Sequence, residues 1–226
     1  MRIINIVTTH TRTDHASTIA RLRAMPPSAT LPIEAVIERI ILLNQGIDRF
    51  WSQADCWAPV EAAQLLSKSR LDRQVSLSHC LKMWLLSPPD GTESGQIIMG
   101  WANLGSLVEG SLKLFLSVWY GAYKQDVDTI RKKGKPQDPD GLQLEPLRNF
   151  FKKKIWDAEI DRWVQHIQHR RNAIHAYQDR EIGTSEELQM YIRKYLDIVR
   201  YINFRLPYPD EIYQAHEEAT TSSFIA

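Results

Sequence analysis

The chain has 226 residues, 43% of them apolar and 24% charged, the proportions of a soluble globular protein. They exclude a disordered tail, a collagen-like fibre and a disulfide-knotted miniprotein, and a chain this long buries roughly 70% of its unfolded surface without a metal or disulfide staple. Lys and Arg number 28 against 27 Asp and Glu, so no global field draws the protein to nucleic acid or a membrane; polyanion binding has to come from local patches.

Cys56 and Cys80 are the only cysteines, with no CxxC, which reads as a reducing, cytoplasmic setting. The apolar N-terminal residues Ile3, Ile4, Ile6 and Val7 form too short a run for a signal-peptide core. The longest apolar region, 95–121, contains Asn103, Glu109 and Lys113 and so reads as a buried helix, not a membrane span.

Residues 1–30 form an arm with a short strand expected at Ile3–Val7. From Pro32 onward a 3.6-residue period takes over through Ile33, Val36, Ile37, Ile40, Leu43, Ile47 and Phe50. Pro59 opens a shorter helix through Leu66, and Leu77, Cys80, Leu81 and Trp84 continue the pattern to a turn at Pro88-Pro89-Asp90-Gly91. The longest helix is expected over about Glu93–Lys124. Gly95, Gly100, Gly105 and Gly110 recur there every five residues. Five residues rotate about 500° around a helix, so these glycines do not share a face, and close approach of several neighbouring helices explains them. None is followed by the Lys-Ser/Thr of a phosphate-binding loop.

Asp126–Gly141 reads as a mobile loop, not a domain boundary, because helical patterning resumes at Leu144. Further helices are expected at about Leu144–Lys154, Asp157–Gln178 and Ser185–Leu206. The last starts with Thr184-Ser185-Glu186-Glu187, a capping box in which Thr184 and Glu187 serve each other's backbone N–H groups. Pro207-Tyr208-Pro209 stops it, and a short acidic helix and a tail from Ala219 follow. The fold class is all-α: a bundle of about eight helices in one domain, 31–218.

Most catalytic signatures are missing: no GxGxxG, HExxH, GxSxG or EF-hand loop. His166 and His169 are spaced i,i+3, but no third ligand joins them at an obvious spacing, so no metal or other cofactor is expected. The seven tryptophans read as core. The exception is His169-Arg170-Arg171-Asn172-Ala173-Ile174-His175-Ala176-Tyr177. Arg171 falls about 40° from Ile167 and 60° from Ile174, near the centre of an apolar stripe, so it must be paired, face a cleft or meet a partner subunit. His175 follows Arg171 by four residues and Asn172 by three, within mutual reach on a helix. Such a cluster suits a phosphodiester; equally, Arg171 and Asn172 could pair with carboxylates and knit the last helices together.

This stretch resembles the HEPN superfamily, helical bundles that include many prokaryotic ribonuclease toxins. Arg170 and His175 enclose four residues, matching its Arg-x4-His signature, and His175-Ala176-Tyr177 matches the His-x-Tyr extension of the branch paired with nucleotidyltransferase antitoxins. The specific likeness covers residues 157–205. Family members commonly carry Arg-Asn with His four residues after that Asn; here Asn172 precedes His175 by three, which leaves Arg170 and Arg171 both candidates. The resemblance implies a four-helix core and metal-independent RNA cleavage, with His175 as general base or acid, and Arg170 or Arg171, beside Asn172, answering transition-state charge. It implies a homodimer with a composite site, an antitoxin or other defence-system partner, and Tyr177 as site support or a modification target. Lys152, Lys153 and Lys154, with the 131–135 cluster, are candidates for the RNA backbone. The competing expectation is a non-catalytic helical interaction module.

Overall fold

The computed structural model describes residues 17–175 and 179–218. The Ile3–Val7 strand, Tyr177 and the tail from Ala219 lie outside the described residues. Nine helices are described: α1 (17–24), α2 (Ile33–Trp51), α3 (Val60–Lys68), α4 (Leu71–Cys80), α5 (Glu93–Val118), α6 (Tyr120–Gln125), α7 (Leu144–Lys154), α8 (Ala158–Arg171) and α9 (Ser185–Arg205). The fold is all-α, and no helix among the described residues is long and apolar enough to cross a membrane.

Helices α2, α4, α5 and α9 close a four-helix ring, since α2 packs on α4 and α9, and α5 packs on the same two. The α2 stripe read from the sequence turns inward: Val36, Ile37 and Ile40 are fully buried. Helix α5 is the hub. Its ring side meets α4 and α9, while α3, α7 and α8 pack around its remainder. Helices α8 and α9 therefore both lie on α5, and they meet each other through long side chains such as Lys194 and Glu159. Trp51, Trp101, Trp156 and Trp163 are buried, whereas Trp57 is exposed.

The α5 glycines behave as their non-shared faces require. A Cβ at Gly100 would sit 2.4 Å from Leu188 of α9, one at Gly105 2.7 Å from Arg171 of α8, and one at Gly110 2.2 Å from Gln74 of α4. Each of these three glycines thus admits a side chain from a different helix, whereas a Cβ at Gly95 would meet nothing within 4 Å.

Several boundaries differ from the sequence expectation. The long helix breaks at Trp119 (φ −92°, ψ 26°), whose indole N–H donates to the Arg205 carbonyl at 3.2 Å. Residues 81–85 form a 3-10 turn after α4. The expected open loop 126–141 carries a small hairpin, Arg131–Lys132 paired with Lys135–Pro136, turning through Lys133 and Gly134 at positive φ. It is tied to α6 by the Tyr123 hydroxyl on the Gln137 carbonyl and the Tyr120 hydroxyl on Asp138. After α9 the expected acidic helix is only a 3-10 turn, Glu211–Tyr213, because the segment is committed elsewhere: Asn203 donates to the Ala215 carbonyl at 2.9 Å.

That segment seats Ala215 against α2 at Gly46, where an added Cβ would lie 2.7 Å from the Ala215 Cβ and 2.9 Å from its Cα. Backbone cannot yield as a flexible side chain can. Gly46→Ala is expected to cost about 1–3 kcal/mol through overpacking. An unchanged thermal midpoint would show that Ala215 is not held there in solution.

Candidate functional site

The site is built at the C-terminal end of α8. Asp157 starts this helix by accepting from the Glu159 and Ile160 N–H groups at 2.9 and 3.0 Å. Its apolar stripe buries Trp163, Val164 and Ile167. His169, Arg170 and Arg171 occupy its last turn, where the helix dipole favours positive charge. The helix expected to continue to Gln178 stops at Arg171, followed by a 3-10 turn, Asn172–Ile174, and His175 leaves with φ −85° and ψ 81°.

This change of rotation separates the predicted residues. Arg171 turns toward α5, lies over Gly105, and places Nη1 2.9 Å from Glu109 Oε2. Glu109 also meets Lys113 at 2.9 Å. Burial pushes the Glu109 carboxyl upward, but Lys113 and Arg171 outweigh it and hold the group below its ordinary range. Arg170 turns to the opposite side and is nearly buried. Its Nε lies 3.2 Å from His166 Nε2, Nη1 donates to the Glu181 carbonyl at 2.7 Å and Glu181 Oε2 at 3.2 Å, and Nη2 donates to both Glu187 carboxylate oxygens at 3.0 and 3.1 Å. His175 is exposed, and among the described residues no hydrogen bond or ion pair links the side chains of Arg171, Asn172 and His175. The mutual reach expected from helical spacing is lost with the helix itself.

The sequence reading gave Glu187 to a capping box and paired His166 with His169, and brought neither to Arg170. Glu187 sits 2.6 Å from His166 Nε2, and the His166 ring stacks on Tyr191 (4.7 Å between centroids) with Trp101 edge-on at 5.8 Å. Thr184 caps α9 by accepting from Glu187 N–H at 3.2 Å, as the capping box requires. The reciprocal half is absent because the Glu187 carboxylate is engaged by Arg170 and His166. Gly183 (φ +74°) is essential to this arrangement: a Cβ there would stand 1.9 Å from Glu187 Oε2. The available sequence signals were the i−4 placement of His166 relative to Arg170 and the Gly183-Thr184 start of α9.

His166, His169, Arg170, Arg180 and Glu181 line an open cleft of about 360 Å³. Among the described residues no group of three metal-ligating side chains gathers. The Lys152–Lys154 run is matched by acids: Lys152 with Asp161 (3.1 Å), Lys153 with Asp128 (2.9 Å), and Lys154 with Asp128 (3.0 Å) and Asp126 (3.4 Å).

Burial pushes the Glu187 carboxyl up, but hydrogen bonds from Arg170 and His166 more than compensate and hold it below the ordinary glutamate range. A depressed folded value means that this carboxylate stabilises the protein fully above the unfolded value and ceases to do so as pH falls through the folded one. Glu187→Gln is therefore expected to melt below wild type at neutral pH, with the two midpoints converging under acid conditions. A constant gap across that range would contradict the assignment.

In comparisons with known proteins, no family model, no curated protein and no solved structure matches the chain.

Proposed function

We propose that the protein is a HEPN-like, metal-independent endoribonuclease, a toxin or phage-defence effector of the cytoplasm that works as a homodimer with a composite site and is restrained by a partner protein. The observation that supports this reading best is the contrast between the two ends of Arg-x4-His. Arg170 is fixed beside an open cleft, and His175, five residues on, presents an imidazole that no neighbour among the described residues occupies. An unengaged imidazole, with one nitrogen to accept and one to donate, is suited to moving a ribose 2′-hydroxyl proton. A guanidinium beside the scissile phosphate answers the charge that develops as the 2′-oxygen attacks. Arg170 is assigned that task over Arg171 because it lines the cleft, whereas Arg171 turns away to Glu109 on α5. Exposed Lys153 can exchange Asp128 for a backbone phosphate, since a surface pair of this kind holds by only about 0–1 kcal/mol, whereas Lys152 answers the buried Asp161.

A second reading, a non-catalytic interaction module, is favoured by one feature: Arg170 and Arg171 both stitch α8 to its neighbours through ion pairs. The two readings separate on purified, metal-free protein incubated with single-stranded and transfer RNA. Cleavage, together with growth arrest on expression of the chain alone, is expected from the nuclease. Intact RNA from monodisperse protein freed of any partner would decide for the module.

A further inference from the structure

Two incompatible demands fall on one nitrogen beside the cleft. Glu187 Oε1, 2.6 Å from His166 Nε2, requires a proton on that nitrogen, whereas the Arg170 Nε–H, 3.2 Å away, requires a lone pair there. The shorter, charge-assisted contact to the carboxylate wins, as in carboxylate–histidine pairs generally. With Nε2 donating to Glu187, the basic lone pair of the ring is on Nδ1, and the Arg170 Nε–H lacks a proper acceptor. A second Arg170 donor, Nη1, gives the Glu181 carbonyl one bond at 2.7 Å and the Glu181 carboxylate another at 3.2 Å, and that side chain is 92% exposed and easily displaced. The ring itself is clamped by Tyr191 and Trp101, so His166 can gain or lose a proton without changing place.

The geometry points to this cleft as a proton-linked phosphate site. Its ligand is a phosphodiester group that displaces the Glu181 carboxylate, takes up the free donors of Arg170, and binds best when His166 is protonated. The charged and titratable groups around His166 are Glu187 and Tyr191 on α9, Arg170 and His169 on α8, and Arg180 and Glu181 on the connecting segment. An added anion offsets the repulsion between protonated His166 and Arg170, so protonation and anion binding promote each other. The assignment rests on the ribonuclease reading only in taking the RNA backbone as the source of the phosphate.

Dimethyl phosphate is a suitable probe, because its single charge is constant near neutral pH. Adding it should shift the His166 ring resonances in NMR spectra, with affinity rising toward tenfold per pH unit as pH falls through the His166 titration, the limit for one linked proton. His166→Gln keeps an N–H donor for Glu187 but carries no titrating proton, so it should bind weakly and independently of pH with its fold retained. His169→Gln should keep the pH dependence. A pH dependence that survives in His166→Gln or vanishes in His169→Gln overturns the inference, as does probe that leaves the His166 resonances unmoved at millimolar concentration. RNA cleavage without this linkage would uphold the ribonuclease reading and overturn the phosphate site. Linkage without cleavage would do the reverse, with free phosphate as the ligand.

Discussion

His175→Ala is expected to lower RNA cleavage by about 10²–10⁴-fold, the usual worth of a positioned proton carrier, while leaving the thermal midpoint unchanged. The stability half follows from the structure: His175 is exposed and ends a 3-10 turn through its backbone N–H, which donates to the Asn172 carbonyl at 3.2 Å whatever the side chain. Arg170→Ala should lose cleavage and stability together, since its guanidinium bridges His166, Glu181 and Glu187. Arg171→Ala should lose stability chiefly, by opening the Glu109 pair. The interaction-module reading orders these variants differently, with no activity to lose and only the two arginine variants destabilised. Mixing His175→Ala and wild-type chains tests the composite site. Heterodimers should fall below the average of the parents if each centre draws on both chains, and simple halving would place a complete site within one chain. Binding of uncleavable RNA by His175→Ala should stay near wild type; equal losses in binding and turnover would count against a proton-transfer role.

Glu217→Ala is expected to be the most destabilising of the single changes considered, at about 3–5 kcal/mol, the cost of removing the main partner of a buried charge. Arg200, 2% exposed on α9, donates from Nε and Nη2 to the two Glu217 oxygens at 2.7 and 2.9 Å. Its Nη1 donates to the Pro26 carbonyl at 2.9 Å and to Asp197 on the same helix at 3.3 Å, and Arg39 of α2 also pairs with Glu217. The Glu217 carboxylate therefore holds α2, α9 and the C-terminal segment together, and Arg200 adds the N-terminal approach. At about 2–4 °C per kcal/mol for a chain of this size, the midpoint should drop by roughly 10 °C. Burial shields the pair, so the loss should persist in high salt. Arg200→Leu combined with Glu217→Leu should recover part of it, because apolar replacement removes the desolvation penalty along with the attraction. A loss under about 1 kcal/mol, typical of a surface pair, would show that the clasp is solvated in solution.

These two sites were not equally open to sequence reading. Arg170 and His175 stand out because their spacing is local and the residue types are chemically unusual at a helix end. Arg200 does not, since nothing near it in sequence announces that Glu217, 17 residues on, returns to bury it. Arg171 is intermediate. Its place on an apolar stripe required a partner, but Glu109 lies 62 residues away on α5. His166 paired with His169 looks like half a metal site, yet its actual partner is the capping-box glutamate of the next helix.

By itself the sequence determined what depends on neighbours within a turn or two: the all-α class, the inward stripe of α2, the Thr184 cap, and the rule that the α5 glycines serve different faces. Hydrophobic periodicity and backbone capping are short-range, so they survive without knowledge of the fold. Only the tertiary structure decided which helices close the ring, where α8 ends, and on which side each arginine falls. A helix that stops at Arg171 and tightens into a 3-10 turn rotates His175 away from the face that spacing assigned to it. Long-range charge pairs then chose among the remaining rotamers: Glu109 drew Arg171 over Gly105, and Glu187 drew Arg170 to His166. Such pairings join residues far apart in sequence, and only the packed helices bring them within hydrogen-bonding distance.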